Sequence, residues 1–139
     1  MKTAIIYYSY TGKTKKLAEK KVRKDNADLI EIKEKNRRST VGAYVVGSLA
    51  ARRQKKAEIE TVFADFSDYD RLIIMVPLWA GFPAPAFNNI LELIPPGKEI
   101  ELIITSGSGN SSASKEKTIA LSTTKKVRVV KYQDVKTSK

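Results

Sequence analysis

The stretch Thr3-Ala4-Ile5-Ile6-Tyr7-Tyr8-Ser9-Tyr10-Thr11-Gly12-Lys13-Thr14 decides the fold. Its apolar, β-branched and aromatic run over residues 3–8 reads as a buried strand. A hydroxyl-rich turn follows. Residues 13–24 then place Leu17, Ala18 and Val22 on one stripe with lysines elsewhere, which predicts an amphipathic helix with a wet basic face. Strand, turn, helix is the geometry that aims unpaired backbone N–H groups and a positive dipole end at an anion. The turn is therefore a candidate phosphate cradle, although Ser, Thr and Gly before a helix also serve as an ordinary N-cap.

The pattern repeats along the chain. Residues 29–33 alternate Ile30 and Ile32 with Glu31 and Lys33, a second strand. A polar loop over 34–40 leads to a helix over 41–53, capped by Ser39 or Thr40. The connector 57–70 is expected to anchor Phe63 and Phe66 in the core. Arg71-Leu72-Ile73-Ile74-Met75-Val76 is the clearest buried strand, and it runs into a long loop over 77–85. A helix over 86–94 stops at Pro95-Pro96-Gly97. The strand 99–105 ends in Ser106-Gly107-Ser108-Gly109-Asn110. A weak helix over 112–125 and a last strand marked by Val127, Val129 and Tyr132 complete the order, followed by a polar tail.

Strands alternating with helices predict an α/β fold: one domain over 1–139, a three-layer, doubly wound, five-stranded parallel sheet with right-handed crossovers. Ligands of such sheets bind beyond the carboxyl ends of the strands, at the switch point of strand order. Three strands end there in conspicuous loops, 9–14, 77–85 and 106–110.

Composition bounds the chemistry. The 139 residues contain no cysteine and no histidine, which excludes disulfides, Cys/His zinc sites and histidine-based triads. Lys and Arg number 26 against 15 acids, a net charge of +11 that favours anionic partners or simply a solvated basic surface. The basic segments are scattered, with Tyr44 near Arg52 the sole aromatic interleaving, so nucleic-acid binding is not indicated. The longest apolar candidate, 41–51, is too short for a membrane span, and no signal-peptide layout is visible, so a cytoplasmic protein is expected. Gly12-Lys13-Thr14 is not a nucleoside-triphosphate loop, because Tyr7 stands where that motif needs glycine.

Together, Ile5 to Thr14 with Ala18, the Pro77-Leu78-Trp79-Ala80-Gly81-Phe82-Pro83-Ala84-Pro85 loop and Ser106-Gly107-Ser108-Gly109 resemble the flavodoxin-like FMN-binding family. The resemblance implies strand order 2-1-3-4-5 and FMN as cofactor. Ser9, Thr11, Gly12 and Thr14 would wrap the phosphate, with Tyr10 and Lys13 contributing backbone and charge. Pro77, Leu78, Trp79, Ala80, Gly81 and Phe82 would meet the ring, with Trp79 stacking on it, and Ser106, Gly107, Ser108 and Gly109 would form the third wall. No residue stands out as a catalytic acid or base, and no metal site is expected.

Two departures qualify the resemblance. The first helix has Lys21 where the family pattern places an aliphatic residue. After Tyr132 too few apolar residues remain for the family's last helix, so one sheet face is expected to be partly bare, with dimerisation through it. The third loop has no aromatic, and the loops carry no acids, which predicts a less extreme reduction potential. Three functions fit: an electron carrier docking to a redox partner protein, an FMN-dependent oxidoreductase using NAD(P)H at an open ring face, or a non-redox polyanion-binding module.

Overall fold

The computed structural model describes residues 2–35 and 49–137. In chain order these form β1 (Thr3–Tyr7), α1 (Lys13–Asp25), β2 (Asp28–Glu31), a short 3-10 turn (Phe66–Asp68), β3 (Arg71–Trp79), β4 (Phe82–Pro83), α2 (Ala86–Leu93), β5 (Glu99–Ser106), α3 (Ser112–Thr124) and β6 (Arg128–Lys136). The main sheet runs β2-β1-β3-β5-β6, every pair parallel. With the two-residue β4 set aside as a hairpin partner of β3, this is the expected 2-1-3-4-5 order. Most of the helix expected over 41–53 lies outside the described residues; residues 49–52 are helical. No helix among the described residues is long and apolar enough to cross a membrane.

The two faces of the sheet are covered differently. Alternation along β3 sends Leu72, Ile74 and Val76 to one face, where they join Ile6, Ile100, Leu102 and Ile104 in the larger core. There α2 buries Phe87, Ile90 and Leu91. Asn88 and Asn89 of the same helix donate to the carbonyls of Lys55 and Ala57, tying down the connector. The opposite face carries Ile5, Tyr7, Ile73, Met75 and Ile103 under α1, which contributes Ala18 and, partly buried, Leu17 and Val22.

Beside α1 on that second face, the described residues form a polar network. Arg71 holds Glu101 through two nitrogens, at 2.5 and 2.9 Å. The guanidinium keeps the Glu101 carboxyl below its ordinary range, chiefly by hydrogen bonding. Lys21 reaches Asp25 one turn on at 2.9 Å. The departure at Lys21 thus has a physical account: the position is half-buried at the edge of the polar network, not in an apolar seam.

Several expectations need correction. Phe63 is 94% exposed and anchors nothing; Phe66 is buried at 3%. The 77–85 segment is not a loop throughout, because β3 continues to Trp79 and turns back through a hairpin. The tail after Tyr132 is strand as far as Lys136. The weak helix 112–125 does form, seated by Ser114, Thr118 and Ser122. These small hydroxyl residues fit close to the sheet, and Ser122 donates its hydroxyl proton to the Thr118 carbonyl at 2.9 Å, which hides the helix from any apolar periodicity.

Candidate functional site

The parallel sheet brings the ends of β1, β3 and β5 side by side, so the turn 9–14, the hairpin 77–83 and the loop 106–110 share one edge. β1 sits where the strand order reverses, with β2 on one side and β3 on the other. This is the switch-point crevice of a doubly wound sheet. All the residues expected from the sequence lie on this edge.

The first turn is built as an open anion cradle. Gly12 is the N-cap of α1, with φ +95°, a left-handed conformation that a side chain adopts only at a cost. No side chain caps the helix, and its first turn holds no acid. Space around Gly12 is clear: a Cβ there would meet nothing within 4 Å. The Ser9 hydroxyl accepts from the Gly12 N–H at 3.1 Å and shapes the turn. Thr11 and Lys13 are exposed. An uncapped helix start with clear space, hydroxyls and one cation is the donor set a phosphate needs.

Thr14 behaves differently from its neighbours. Its side chain is buried, and its hydroxyl lies 2.8 Å from that of Thr105 at the end of β5. Thr105 in turn lies 3.4 Å from the Val76 carbonyl. One hydrogen-bonded chain therefore links the ends of β3 and β5 to the start of α1. Thr105 was not among the expected residues. Its signal in the sequence is slight: a polar residue at the end of an apolar strand run, next to a glycine-rich loop.

The second segment is a tight hairpin. Trp79 pairs with Phe82, and both turn residues have positive φ, Ala80 at 50° and Gly81 at 87°. This is the pattern of a type I′ turn, whose twist matches that of the strands it joins. Trp79 is half-buried and meets Tyr8 and Tyr10 edge-on, with ring centroids 5.9 and 5.8 Å apart. Those two tyrosines fix the indole at the border of the first turn, which gives it a defined plane. Phe82 faces the Lys117 ammonium at 5.8 Å from its ring centre, so α3 braces the hairpin. Pro77 and Leu78 are partly covered strand residues; Pro77 is paired with Thr105, and its carbonyl accepts from the Ala84 N–H.

The third loop holds itself together with serines. Ser106 accepts from the Gly109 N–H at 2.9 Å and Ser108 from the Asn110 N–H at 3.2 Å. Gly109 has φ +70°, and a Cβ on it would come within 2.9 Å of the Lys136 Cβ. The end of β6 therefore presses directly on this loop, helped by the Thr137 N–H donating to the Ser106 carbonyl at 2.8 Å. Gly107 and Ser108 are both exposed, and neither brings a bulky side chain to close this wall.

A cavity of about 250 Å³ opens on the β2 side of the first turn, lined by Tyr8, Ser9, Tyr10 and, across from them, Glu31, Glu34 and Glu60. The Tyr8 hydroxyl donates to Glu34. Three carboxylates make this cavity a poor place for a phosphate. Their position beside the first turn was not legible from the loops themselves, which carry no acids. Burial, with the Glu31 carboxylate second, pushes Tyr7 up to about 12, so it remains a neutral phenol at physiological pH. Among the described residues no cluster of carboxylates could hold a metal ion.

The sheet order and the three loops at its carboxyl edge define a flavodoxin-like fold. No protein-family model matches the chain, and no curated protein matches it. Solved structures do. A flavoprotein from Lactobacillus acidophilus NCFM, crystallised in complex with FMN, is 25% identical with a TM-score of 0.78, over 94% of this chain and 91% of that one. A putative flavoprotein from Bacteroides eggerthii DSM 20697 is 22% identical with a TM-score of 0.77, over 95% and 86%. A short-chain flavodoxin associated with a bacterial microcompartment shares the fold at 14% identity and a TM-score of 0.54, over 99% and 86%.

Proposed function

We propose that this chain binds FMN non-covalently at the carboxyl edge of its sheet and transfers electrons through it. The observation that carries the reading is the uncapped start of α1 at Gly12, open and with no acid in its first turn, set beside an indole held by two tyrosines. The likeness to a flavoprotein crystallised with FMN supports it. Ser9 and Thr11 would donate hydroxyls to the phosphate, Lys13 and Thr14 would donate backbone N–H groups, and Gly12 would let the backbone approach closely. Trp79 would lie against the ring system, with Ala80 and Gly81 offering backbone groups at its edge and Ser106 to Gly109 the opposite wall. When bound, the flavin supplies the electron or hydride chemistry; the protein holds and orients it and sets its electrostatics.

A second reading, an FMN-dependent oxidoreductase that takes hydride from NAD(P)H, is favoured by one observation: no bulky side chain of the Gly107–Ser108 segment closes the third wall. Stopped-flow mixing of the flavin-loaded protein with NADH or NADPH separates the two. Rapid bleaching of the flavin band supports the oxidoreductase, and no bleaching supports the carrier.

Fluorescence titration with FMN and with riboflavin tests the shared claim. Flavin emission should be quenched at one equivalent of FMN, and riboflavin should bind at least about tenfold more weakly, since it lacks the group that the helix N-terminus holds. Equal affinity for the two would contradict the phosphate assignment. Quenching by neither would leave a basic module that binds other polyanions.

A further inference from the structure

The α1 face of the sheet has a second feature that flavin binding does not use. By alternation and register, β3 turns Ile73 and Met75 to this face, β5 turns Glu101 and Ile103, and β6 turns Lys131, Gln133 and Val135. Among the described residues α1 is the one helix packed there. Between α1 and β6 lies a cleft of about 220 Å³, lined by Leu17, Lys20, Lys21 and Lys24 on one side and Met75, Ile103, Gln133 and Val135 on the other.

Its chemistry is two-fold. The floor is apolar and small: Leu17 and Val135 are partly exposed, with Met75 and Ile103 nearly covered beneath them at 2% and 7% exposure, which leaves room for one or two side chains. The rim is cationic. Lys21 is committed to Asp25, but Lys20 and Lys24 are exposed and enter none of the ion pairs among the described residues. Lys131, exposed on β6, extends the same sign across the sheet.

We propose that this cleft is the docking seat for an acidic amphipathic helix of a partner protein. The seat runs beside α1 over strands that carry no other helix among the described residues, which is where a helix packs on a doubly wound sheet. One or two apolar side chains of the incoming helix rest on Met75, Ile103 and Val135, and its carboxylates face Lys20 and Lys24. A second copy of this chain fits less well, since an isologous pairing would set these lysines against their own symmetry mates. The small apolar floor makes this a transient contact, salt-dependent and of low affinity.

The test uses the full chain labelled at Ile, Leu, Val and Met methyls, with a blocked 16-residue probe peptide of glutamates carrying leucine at every third and fourth position. The methyls of Leu17, Met75, Ile103 and Val135 should shift and saturate together. Binding should weaken at least about tenfold in K20E/K24E and at raised salt. A peptide with lysine in place of glutamate should leave those methyls unmoved. Unchanged affinity in the variant, or shifts spread over other basic segments, would overturn the proposal. So would the same methyl shifts produced by phosphatidylserine vesicles but not by the peptide, or a dimer in sedimentation that already protects these methyls. Neither lysine belongs to the flavin edge, so K20E/K24E should melt and quench FMN like the parent. K20Q/K24Q serves if the charge reversal perturbs folding. Loss of FMN binding alone leaves this proposal standing.

Discussion

The two ends of the proposed flavin edge are held by different means. At the phosphate end the first turn is fixed from below: Thr14 bonds to Thr105, Ser9 shapes the turn, and the open side consists of backbone donors around Gly12. At the ring end a hairpin with two positive-φ residues and a serine-glycine loop stand free, steadied by aromatic edges and by the pressure of β6 on Gly109. A phosphate is a compact anion that rigid donors can match in advance. A flat ring is held by surfaces, and in the proposed site these would come from Trp79 and from backbone. On the proposed function, affinity and redox tuning would be separable, because different residues would control them.

Removing the indole should have the largest effect. Trp79→Ala strips the one large flat surface and uncovers Tyr8 and Tyr10. We expect a loss of about 2–3 kcal/mol of binding, equal for FMN and riboflavin, read by fluorescence titration. A loss seen with FMN alone would erase the division between the ends. Gly109→Ala comes next. It combines a left-handed φ with a contact to Lys136 far inside van der Waals range, and should cost about 2 kcal/mol of stability in a denaturant melt. Its effect on flavin should fall on the ring end.

Gly12→Ala meets open space, so its cost to folding is backbone strain alone, about 1–2 kcal/mol. FMN affinity should drop by a comparable free energy, roughly five- to thirtyfold, while riboflavin affinity holds. Thr105→Val removes the partner of a buried hydroxyl and should cost about 1 kcal/mol of stability, with a several-fold loss in FMN affinity only.

The smallest effect is a control remote from both ends. Glu101→Gln breaks a charge pair that is partly screened by solvent, worth about 0.5–1 kcal/mol at neutral pH. The Glu101 pKa is depressed in the folded state, so its stabilisation is present above the usual carboxylate range. It fades as pH falls through the depressed value, and parent and variant should converge in acid. Flavin affinity should be untouched at every pH where both are folded.

Much of this was legible in the residues. The run Thr3 to Thr14 gives β1, its turn and α1 because burial, turn chemistry and helical spacing agree there. Leu72 to Val76 and Ile100 to Thr105 read as buried strands because both sheet faces cover them. The hairpin was hidden because Pro77, Pro83 and Pro85 read as breakers; Pro77 and Pro83 sit in its strands and Pro85 caps α2. α3 was faint because hydroxyl residues, not aliphatic ones, face the sheet. β6 beyond Tyr132 was missed because an edge strand with one thinly covered face keeps Lys131, Gln133 and Lys136 exposed. Thr105 leaves only a slight mark in the sequence, since its role depends on a contact 91 residues away. An aromatic side chain is expected in a core, yet Phe63 is almost bare, so residue type alone does not place it.

An amide NMR titration of the full chain with FMN reads both ends at once. The account predicts that Gly12, Lys13 and Thr14 shift together with Gly81, Gly107 and Gly109 at a single stoichiometric equivalent, and that riboflavin moves the second group far more than the first. Shifts confined to exposed basic segments such as Arg52 to Lys56, with Gly12 and Gly81 unmoved, would contradict it.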